Sequence, residues 1–552
     1  MKNIHAKAKY RIRNQFCILH SAFCILAILL SVFSATAQRR VKQEPKPLSK
    51  EQAKSVKQDA NSLFAAGSYD LAIKAYLDLY RTDPKNADVN FRLGYCYLMT
   101  DVNKAEAVKY MEFAAENNTK KKELLYYLAL AYHYANRFDD AIKYYKEYKD
   151  QAHNKIIKDF LNADRQIEMC ENGKELVAHP VDVKIVNMGK LINSNQQDYN
   201  PYVSADGNTL VFSSRRKGSM GGLDEDALIY GADIYWTQWK DTVWSKAKNI
   251  GAAINQQYDE ESVWLNLAGD EMIVYMDNMD AYGDIGLAHL KGKTWQKPEM
   301  FSAAINTKAF ETGATISSDG LMMIFASDRK DGNQGGRDLY MSVRTDVNDD
   351  WGTPKNLGST VNTKYNEDSP FLWVDGKTLY FASEGHNSMG GSDIFKTIYD
   401  AKSGKWSDPV NVGYPINTTD DDNSISITGD GRTAYITQVK PGGIGNKDIY
   451  KVTFNDTTDH PFLIVIKGMV ASDKGMHSPI TKAVLINKAD QSIVFEYAAS
   501  PNSSSFIMAA RPGSYTMHIE GANFDPYNED IIIDTSLKNV VKQIKVHSRD
   551  KK

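Results

Sequence analysis

The chain has 552 residues, 42% of them hydrophobic and 24% charged, proportions of a globular protein rather than a disordered one. At about 150 residues per domain the length fits three or four domains and excludes a single small module. The net charge of −3 averages unlike parts: residues 38–175 hold 24 Lys+Arg against 21 Asp+Glu, and residues 176–552 hold 37 against 48, which makes the second portion a poor partner for nucleic acid.

Residues 1–37 begin with Lys2, Lys7, Lys9, Arg11 and Arg13 and no acidic residue. An apolar run from Phe16 to Phe33 follows, and Ala35 and Ala37 fit an A-x-A cleavage site. This is the pattern of a secretory signal peptide. The competing reading is a membrane anchor, since about 18 apolar residues approach spanning length. Bulky Phe23 before Cys24 argues against a lipid anchor. No later apolar stretch is long enough to span a bilayer, so the expectation is an exported protein that reaches a membrane only through partners. Cys96 and Cys170 remain after the signal, either bridged or as two buried helical thiols. Thiols are the expectation, because exported domains that depend on disulfides carry more cysteines.

Residues 38–50 are basic and contain proline, as linkers do. Across 51–170 apolar residues recur at three- and four-residue spacing, the period of helices. Ala60, Gly94 and Ala129 lie 34 and 35 residues apart; Ala72, Ala107 and Ala141 follow each of them by 12 or 13, and Tyr76, Met111 and Tyr145 come four later. Small residues let the two helices of a hairpin approach, and the large residue fills the next gap. The pattern resembles the tetratricopeptide repeat over about residues 52–150, which implies an α-helical array that binds proteins. Val56, Asn90 and Leu125 stand where that family usually has Trp. A further helix at 153–171 is expected to cap the stack, with 171–180 as a second linker.

The texture then changes to short β-rich runs between Gly, Asn and Asp clusters, and all eight tryptophans lie between Trp236 and Trp406. Tight turns at Asp206-Gly207, Gly269-Asp270, Asp319-Gly320, Asp375-Gly376 and Asp430-Gly431 precede strands TLVFSS, EMIVYM, LMMIFAS, TLYFAS and TAYITQ. Asp233, Asp284, Asp338, Asp393 and Asp448 open a third strand, and Trp244, Trp295, Trp351 and Trp406 mark the closing one. A motif reads NMGKLIN at 187–193, NIGAAIN at 249–255, NLGSTVN at 356–362 and NVGYPIN at 411–417, with MFSAAIN at 300–306 a degenerate copy. Four strands per unit of about 50 residues describe β-propeller blades. The sequence looks like the WD40-like (PD40) repeats of TolB and its relatives, which implies a propeller over 181–454. Because one motif copy precedes the first unit, Val183–Met188 is expected to complete the unit that ends at Phe454, giving five blades; a sixth, unrecognised blade is the competing reading.

After a linker at 455–461, residues 462–548 read as about seven short strands. The segments Val465-x-x-Gly468-x-Val470, Pro479-Ile480-x-x-Ala483-Val484-Leu485 and Phe506 with Pro512-Gly513-x-Tyr515 resemble the carboxypeptidase-regulatory-like, transthyretin-type β-sandwich. The fold class is therefore multidomain, α plus all-β.

Five residues after each motif lies a carboxylate: Asp198, Glu260, Glu311, Glu367 and Asp422. A ring of five at a propeller mouth would favour a cation or a basic segment; the structural alternative is that each fixes its loop by accepting backbone N–H bonds. The third-strand Asp set is expected to bond glycine amides in the preceding loops rather than a metal. His386, in the fourth glycine loop, reads as solvated. No G-x-S-x-G, H-E-x-x-H or Cys-rich pattern occurs, so no catalytic residue, cofactor or metal is expected. A glycosidase carboxylate pair stays open as an alternative. Tyr95, Tyr97, Tyr126, Tyr127, Tyr132, Tyr134, Tyr144 and Tyr145 divide between repeat core and a surface able to grip a peptide or helix.

The order of modules is similar to Bacteroidetes-type envelope proteins, most of all the periplasmic subunit family of type IX secretion and gliding. That family adds a C-terminal OmpA-like domain, which this chain, ending at Lys552, does not show. The resemblance implies a non-enzymatic scaffold in the periplasm or on the periplasmic face of the outer membrane, binding envelope proteins through helices and propeller face. The alternative is a glycan-binding or glycan-hydrolysing propeller.

Overall fold

The computed structural model describes residues 47–117, 123–151, 161–224, 229–278, 281–455, 463–473, 478–534 and 539–547. The expected signal peptide, the centre of the last linker and most of the first lie outside the described residues. Among the described residues no helix is long and apolar enough to cross a membrane.

Among the described residues seven α-helices come first: α1 (Lys50–Ala65), α2 (Tyr69–Thr82), α3 (Ala87–Leu98), α4 (Ala107–Asn117), α5 (Leu124–Tyr134), α6 (Phe138–Gln151) and α7 (Ala163–Ala178). Ser49 starts the first with a capping box closed by Gln52, which satisfies two otherwise orphaned amides. The small residues of the repeat sit where the hairpins touch. Ala60, Ala72, Ala107, Ala129 and Ala141 are fully buried, and a Cβ on Gly94 would lie only 3.0 Å from Met111. Cys96 and Cys170 are buried, free thiols, and burial pushes the Cys96 thiol up to about 12.

The linker expected at 171–180 is instead helical as far as Ala178. Gly173 normally weakens a helix. Here a Cβ at that position would fall 2.6 Å from the Phe138 ring, so the missing side chain is what lets α7 pack on α6.

Among the described residues five antiparallel sheets of four or five strands follow, with a small two-stranded one at Leu223–Asp224 and Ile229–Tyr230. Their inner strands are Asp198–Val203, Glu260–Leu265, Glu311–Ile316, Glu367–Leu372 and Ile425–Ile427, and each sheet continues outward in sequence order. The Trp-bearing pieces Val243–Trp244, Thr294–Trp295 and Lys405–Trp406 pair with the far end of the third strand, while the first residue of the motif (Asn249, Met300 or Asn411) pairs nearer its start. The outer edge is thus two short pieces; Trp351 is buried in a segment with no strand. The fifth sheet takes its outer strand from Val183–Asn187, in register from Val183↔Phe454 to Asn187↔Tyr450, which leaves no free edge there. Inner strands one and two, two and three, three and four, and one and five are neighbours. The Trp373 indole N–H donates to the Thr428 carbonyl at 3.1 Å, joining sheets four and five.

The last described residues hold seven strands, in a sheet of three (Ile464–Ser472 between Ser505–Ala510 and Asn539–Val546) and a sheet of four (Ile493–Ala498, Lys482–Asn487, Gly513–Glu520, Tyr527–Ile533). Tyr515 is buried as expected and donates to the Arg511 carbonyl at 2.9 Å. This unit shares one apolar core with the turns at the far ends of the inner strands: Val465, Phe506 and Ala509 join Ala205, Trp373 and Ile427.

Candidate functional site

The repeated asparagines and aspartates form one lattice per sheet. In the first sheet the Asn255 side chain donates to the Ile234 carbonyl (3.0 Å) and accepts from its N–H (2.9 Å), while its amide also reaches Asn249 (2.9 Å). Asn249 in turn accepts from Gly251 N–H at 2.9 Å and donates to Asp233 at 2.5 Å. Asn193, Asn306, Asn362 and Asn417 grip Ile449, Ile285, Leu339 and Ile394 in the same way. In the fifth sheet Asn187 donates to Asp448 at 2.8 Å, so the lattice itself ties the two ends of the sheet region together. The third-strand aspartates take loop amides. Met220 N–H donates to Asp233, Gln334 N–H to Asp338, Met389 and Gly390 N–H to Asp393, and Ile444 and Gly445 N–H to Asp448. Asp284 is half-buried and one of its oxygens has no partner. Burial pushes Asp393 up to about 7.

The five carboxylates expected to ring a mouth are buried instead. Asp198, Glu260, Glu311, Glu367 and Asp422 are each at most 2% exposed. Each accepts the N–H of the residue four places earlier, from Ser194, Gln256, Thr307, Thr363 and Thr418, at 2.5–2.9 Å. Four of them open an inner strand and Asp422 lies three residues before one; all five turn back to cap their own loops, so the loop-fixing alternative describes them and an open ring does not. Among the described residues no three His, Cys, Asp or Glu side chains are placed to hold a metal. Their partners differ. Arg216 pairs with Asp198, and Arg329 with Glu311 at 3.1 Å; Ser214, Ser327 and Ser383 donate to Asp198, Glu311 and Glu367. The serine sixteen residues on and the arginine eighteen on were a readable signal. Glu260 has neither, and burial first, with Asp233, Asp259 and Asp277 adding, raises it to about 7.

The helical array docks on the loops at this same end of the sheets. Arg165 of α7, only 6% exposed, donates to the carbonyls of Glu384 (2.6 Å), Gly385 (2.9 Å) and His386 (3.2 Å) and to the Ser388 hydroxyl (2.7 Å). Its guanidinium lies 5.0 Å from the Tyr365 ring centroid. Asn172 donates to the Ser388 carbonyl at 3.0 Å. His133 Nε2 lies 2.8 Å from the Met389 carbonyl, and the Met389 side chain enters the helical core. Lys104 pairs with Asp420 at 2.5 Å over the Tyr134 ring. Burial opposes the Lys104 charge, but Tyr134, Asp420 and Asp421 outweigh it and hold its pKa above the usual value. Asp101 meets Lys447 (3.2 Å) and Gln197 (3.1 Å). His386, expected in solvent, is half-buried with Nε2 2.9 Å from the Val361 carbonyl. None of these contacts carried a sequence signal, because each residue occurs once.

The array also presents a half-buried aromatic stripe. Phe64, Phe91, Tyr95 and Tyr127 come from the first helices of successive hairpins, with ring centroids 4.9–6.2 Å apart in sequence along the stripe. Arg92 stacks 4.9 Å over Phe64. Tyr126 and Tyr145 are buried as repeat core.

Residues 58–101 and 102–154 match the tetratricopeptide repeat. The helical region is therefore a tetratricopeptide array, the class of repeat that mediates protein–protein contact. No curated protein matches the chain. Among solved structures, the first tetratricopeptide domain of human RPAP3 is 19% identical, covering 22% of this chain and 92% of that one with a TM-score of 0.19. TolB from Acinetobacter baumannii is 14% identical over 48% of this chain and 56% of its own, TM-score 0.30. The α-L-arabinofuranosidase PaAbf62A from Podospora anserina is 11% identical over 49% and 95%, TM-score 0.33.

Proposed function

We propose that the chain is a non-enzymatic scaffold of the cell envelope, exported by its N-terminal signal and binding other proteins in the periplasm or on the periplasmic face of the outer membrane. In this reading the five sheets are the five blades of a TolB-type propeller. The last seven strands are a carboxypeptidase-regulatory-like sandwich. Secretion or gliding machinery of the Bacteroidetes type is the setting that the order of modules suggests. The observation that carries the reading is the half-buried aromatic stripe at Phe64, Phe91, Tyr95 and Tyr127, because aromatic residues dominate interface energetics.

The test is in-cell crosslinking followed by affinity purification of tagged protein from envelope fractions. An envelope partner recovered with the native chain, and reduced about tenfold or more when Tyr95→Ala and Tyr127→Ala are combined, is the expected outcome for loss of two hot-spot residues. Recovery of the bare protein, or a partner indifferent to both changes, would refute it. A glycosidase gains nothing from the five repeated carboxylates, each of which is committed to its own loop.

A further inference from the structure

The repeated carboxylates are sealed, but the next residue along four of the same inner strands is not. Tyr199, Glu261, Thr312 and Asp368 are all half-buried. Alternation along a strand turns them to the opposite side from their buried neighbours, towards the axis around which the inner strands stand. They differ in kind from sheet to sheet, so the repeat does not account for them.

These side chains form one polar layer. The Tyr199 hydroxyl donates to Glu261 at 2.6 Å, and the Thr312 hydroxyl donates to Asp368 at 2.9 Å. Arg215, held by Asp259 at 2.5 Å, lies 3.7 Å from Glu261, and Arg337 pairs with Asp368. One step deeper stands Tyr202, only 4% exposed, whose hydroxyl has no hydrogen-bond partner among the described residues. Burial first, then the charges of Asp368 and Glu261, hold that hydroxyl above the usual phenol range. Asp368 belongs to the fourth sheet, whose inner strand is not a neighbour of the first. Arg337 Nε, beside Asp368, is buried without a partner. A buried donor left unmatched in a native structure needs an explanation.

Beyond Tyr202 the axis closes. Trp264, Phe371, Trp373, Val203 and Ile427 leave a residual void of about 20 Å³, and Val465 of the last unit presses on Gly429 at this end. The backbone is bent to make the polar layer. Asn200 and Ser369 take left-handed conformations (φ 50° and 49°) inside bulges of their strands, a conformation unfavourable for residues with a Cβ. Gly313 has no Cβ where one would lie 2.9 Å from Asp368, which admits the bulged fourth strand.

We propose that this one-ended axial pit is a binding site for a neutral, polyhydroxylated ligand, the end of a glycan chain being the class that fits. The assignment rests on the ring of five sheets and is independent of protein capture by the array. The carboxylates already face guanidinium groups, so a net charge brought into the pit would find no free counter-charge. A hydroxyl both donates and accepts, which suits a wall of carboxylate acceptors, guanidinium donors and the free Tyr202 hydroxyl. The aromatic floor offers an apolar surface, as small-ligand pockets generally do.

The test is calorimetric titration of the full chain with neutral mono- and oligosaccharides up to about 10 mM, the range of weak single-site binding. Inorganic phosphate and free lysine serve as charged probes. Binding of at least one saccharide and of neither charged probe is expected. Tyr202→Phe removes only an unpaired hydroxyl, so it should weaken binding about fivefold, the factor of one neutral hydrogen bond, with melting unchanged. Glu261→Gln is expected to weaken it as well. Absence of saccharide binding, binding unchanged in both variants, or preference for a charged probe would each overturn the proposal. Combined Tyr95→Ala and Tyr127→Ala should leave saccharide binding intact, so failure of the pit and failure of the scaffold reading are separately visible.

Discussion

The two joints of this molecule are built on opposite principles. Where the helical array meets the sheets, the contacts are mostly polar: Arg165, Asn172, Lys104 and Asp101 reach carbonyls, a hydroxyl and charges on loops. Where the last unit meets the sheets, a continuous apolar core runs across the boundary through Val465, Phe506, Ala205 and Trp373. Polar contacts surround it: Lys467 with Asp206 (2.5 Å), Ser500 with Asp270 (2.7 Å), and Ala498 N–H to the Ser318 carbonyl (2.8 Å). Hydrophobic burial is non-directional and scales with area. Buried polar contacts stabilise little in net terms but are expensive to leave half-made. The apolar joint is therefore expected to unfold with the sheets as one unit, and the polar joint to open as a separate step.

The largest effect should come from breaking the apolar joint. Val465→Asp places a carboxylate at a site 1% exposed with no cation in its core, a change expected to cost about 3–5 kcal/mol. Urea unfolding followed by tryptophan fluorescence should show the loss, because all eight tryptophans lie between residues 236 and 406, in the strands of the five sheets or the loops that join them. A sheet transition unmoved by the substitution would show that the two units unfold separately after all.

Arg165→Ala should act next, and differently. It leaves three carbonyls and the Ser388 hydroxyl short of a donor, for an expected loss of about 2–4 kcal/mol confined to the array joint. Small-angle scattering should report a more extended particle, and protease should cut near residues 179–182 sooner, while the fluorescence transition of the sheets stays in place. Coincident loss of both would erase the distinction between the joints.

The sequence discloses what recurs and conceals what occurs once. The array was legible because Ala60, Gly94 and Ala129 repeat the same steric demand. The asparagine and aspartate lattice was legible because every sheet needs the same loop fixed. Whether Asp198 and its equivalents faced a mouth or a loop was not legible, since either placement keeps the spacing; only the fold shows each carboxylate turned back on an amide four residues earlier. The docking residues were hidden for a second reason. Arg165 and Lys104 look like any solvated helix charges until the loops that meet them are in place. Glu261 and Asp368 escaped because each sits one residue beyond a strongly repeated position, and attention to the repeat passes over its neighbour.

The smallest predicted effect tests whether matching of buried polar groups governs both regions. Glu260 is one of the poorly matched carboxyls among the sheets, with neither the serine nor the arginine that Asp198 and Glu311 have. Its carboxyl rises from 4.5 to about 7, chiefly through burial. The folded state then holds a proton that the unfolded state has released between about pH 4.5 and 7, so stability falls as pH rises through that window and stays reduced above it. Glu260→Gln keeps an acceptor for the Gln256 N–H and has nothing to ionise. It should be more stable than the native chain at pH 8 and equal to it near pH 4, read from the sheet transition in urea. Glu311→Gln, which deprives Arg329 of its carboxylate, should show no such gain. At the array joint the sign reverses. Burial lowers the pKa of His133 below 6.5, so the docked state resists protonation that the released state accepts, and acid favours opening as pH falls through that value. Lowering the pH should therefore strengthen the sheets through Glu260 while loosening the array through His133. A single pH series with both readouts, tryptophan fluorescence and cleavage near residues 179–182, would show the two regions moving in opposite directions if the joints are as independent as their chemistry implies.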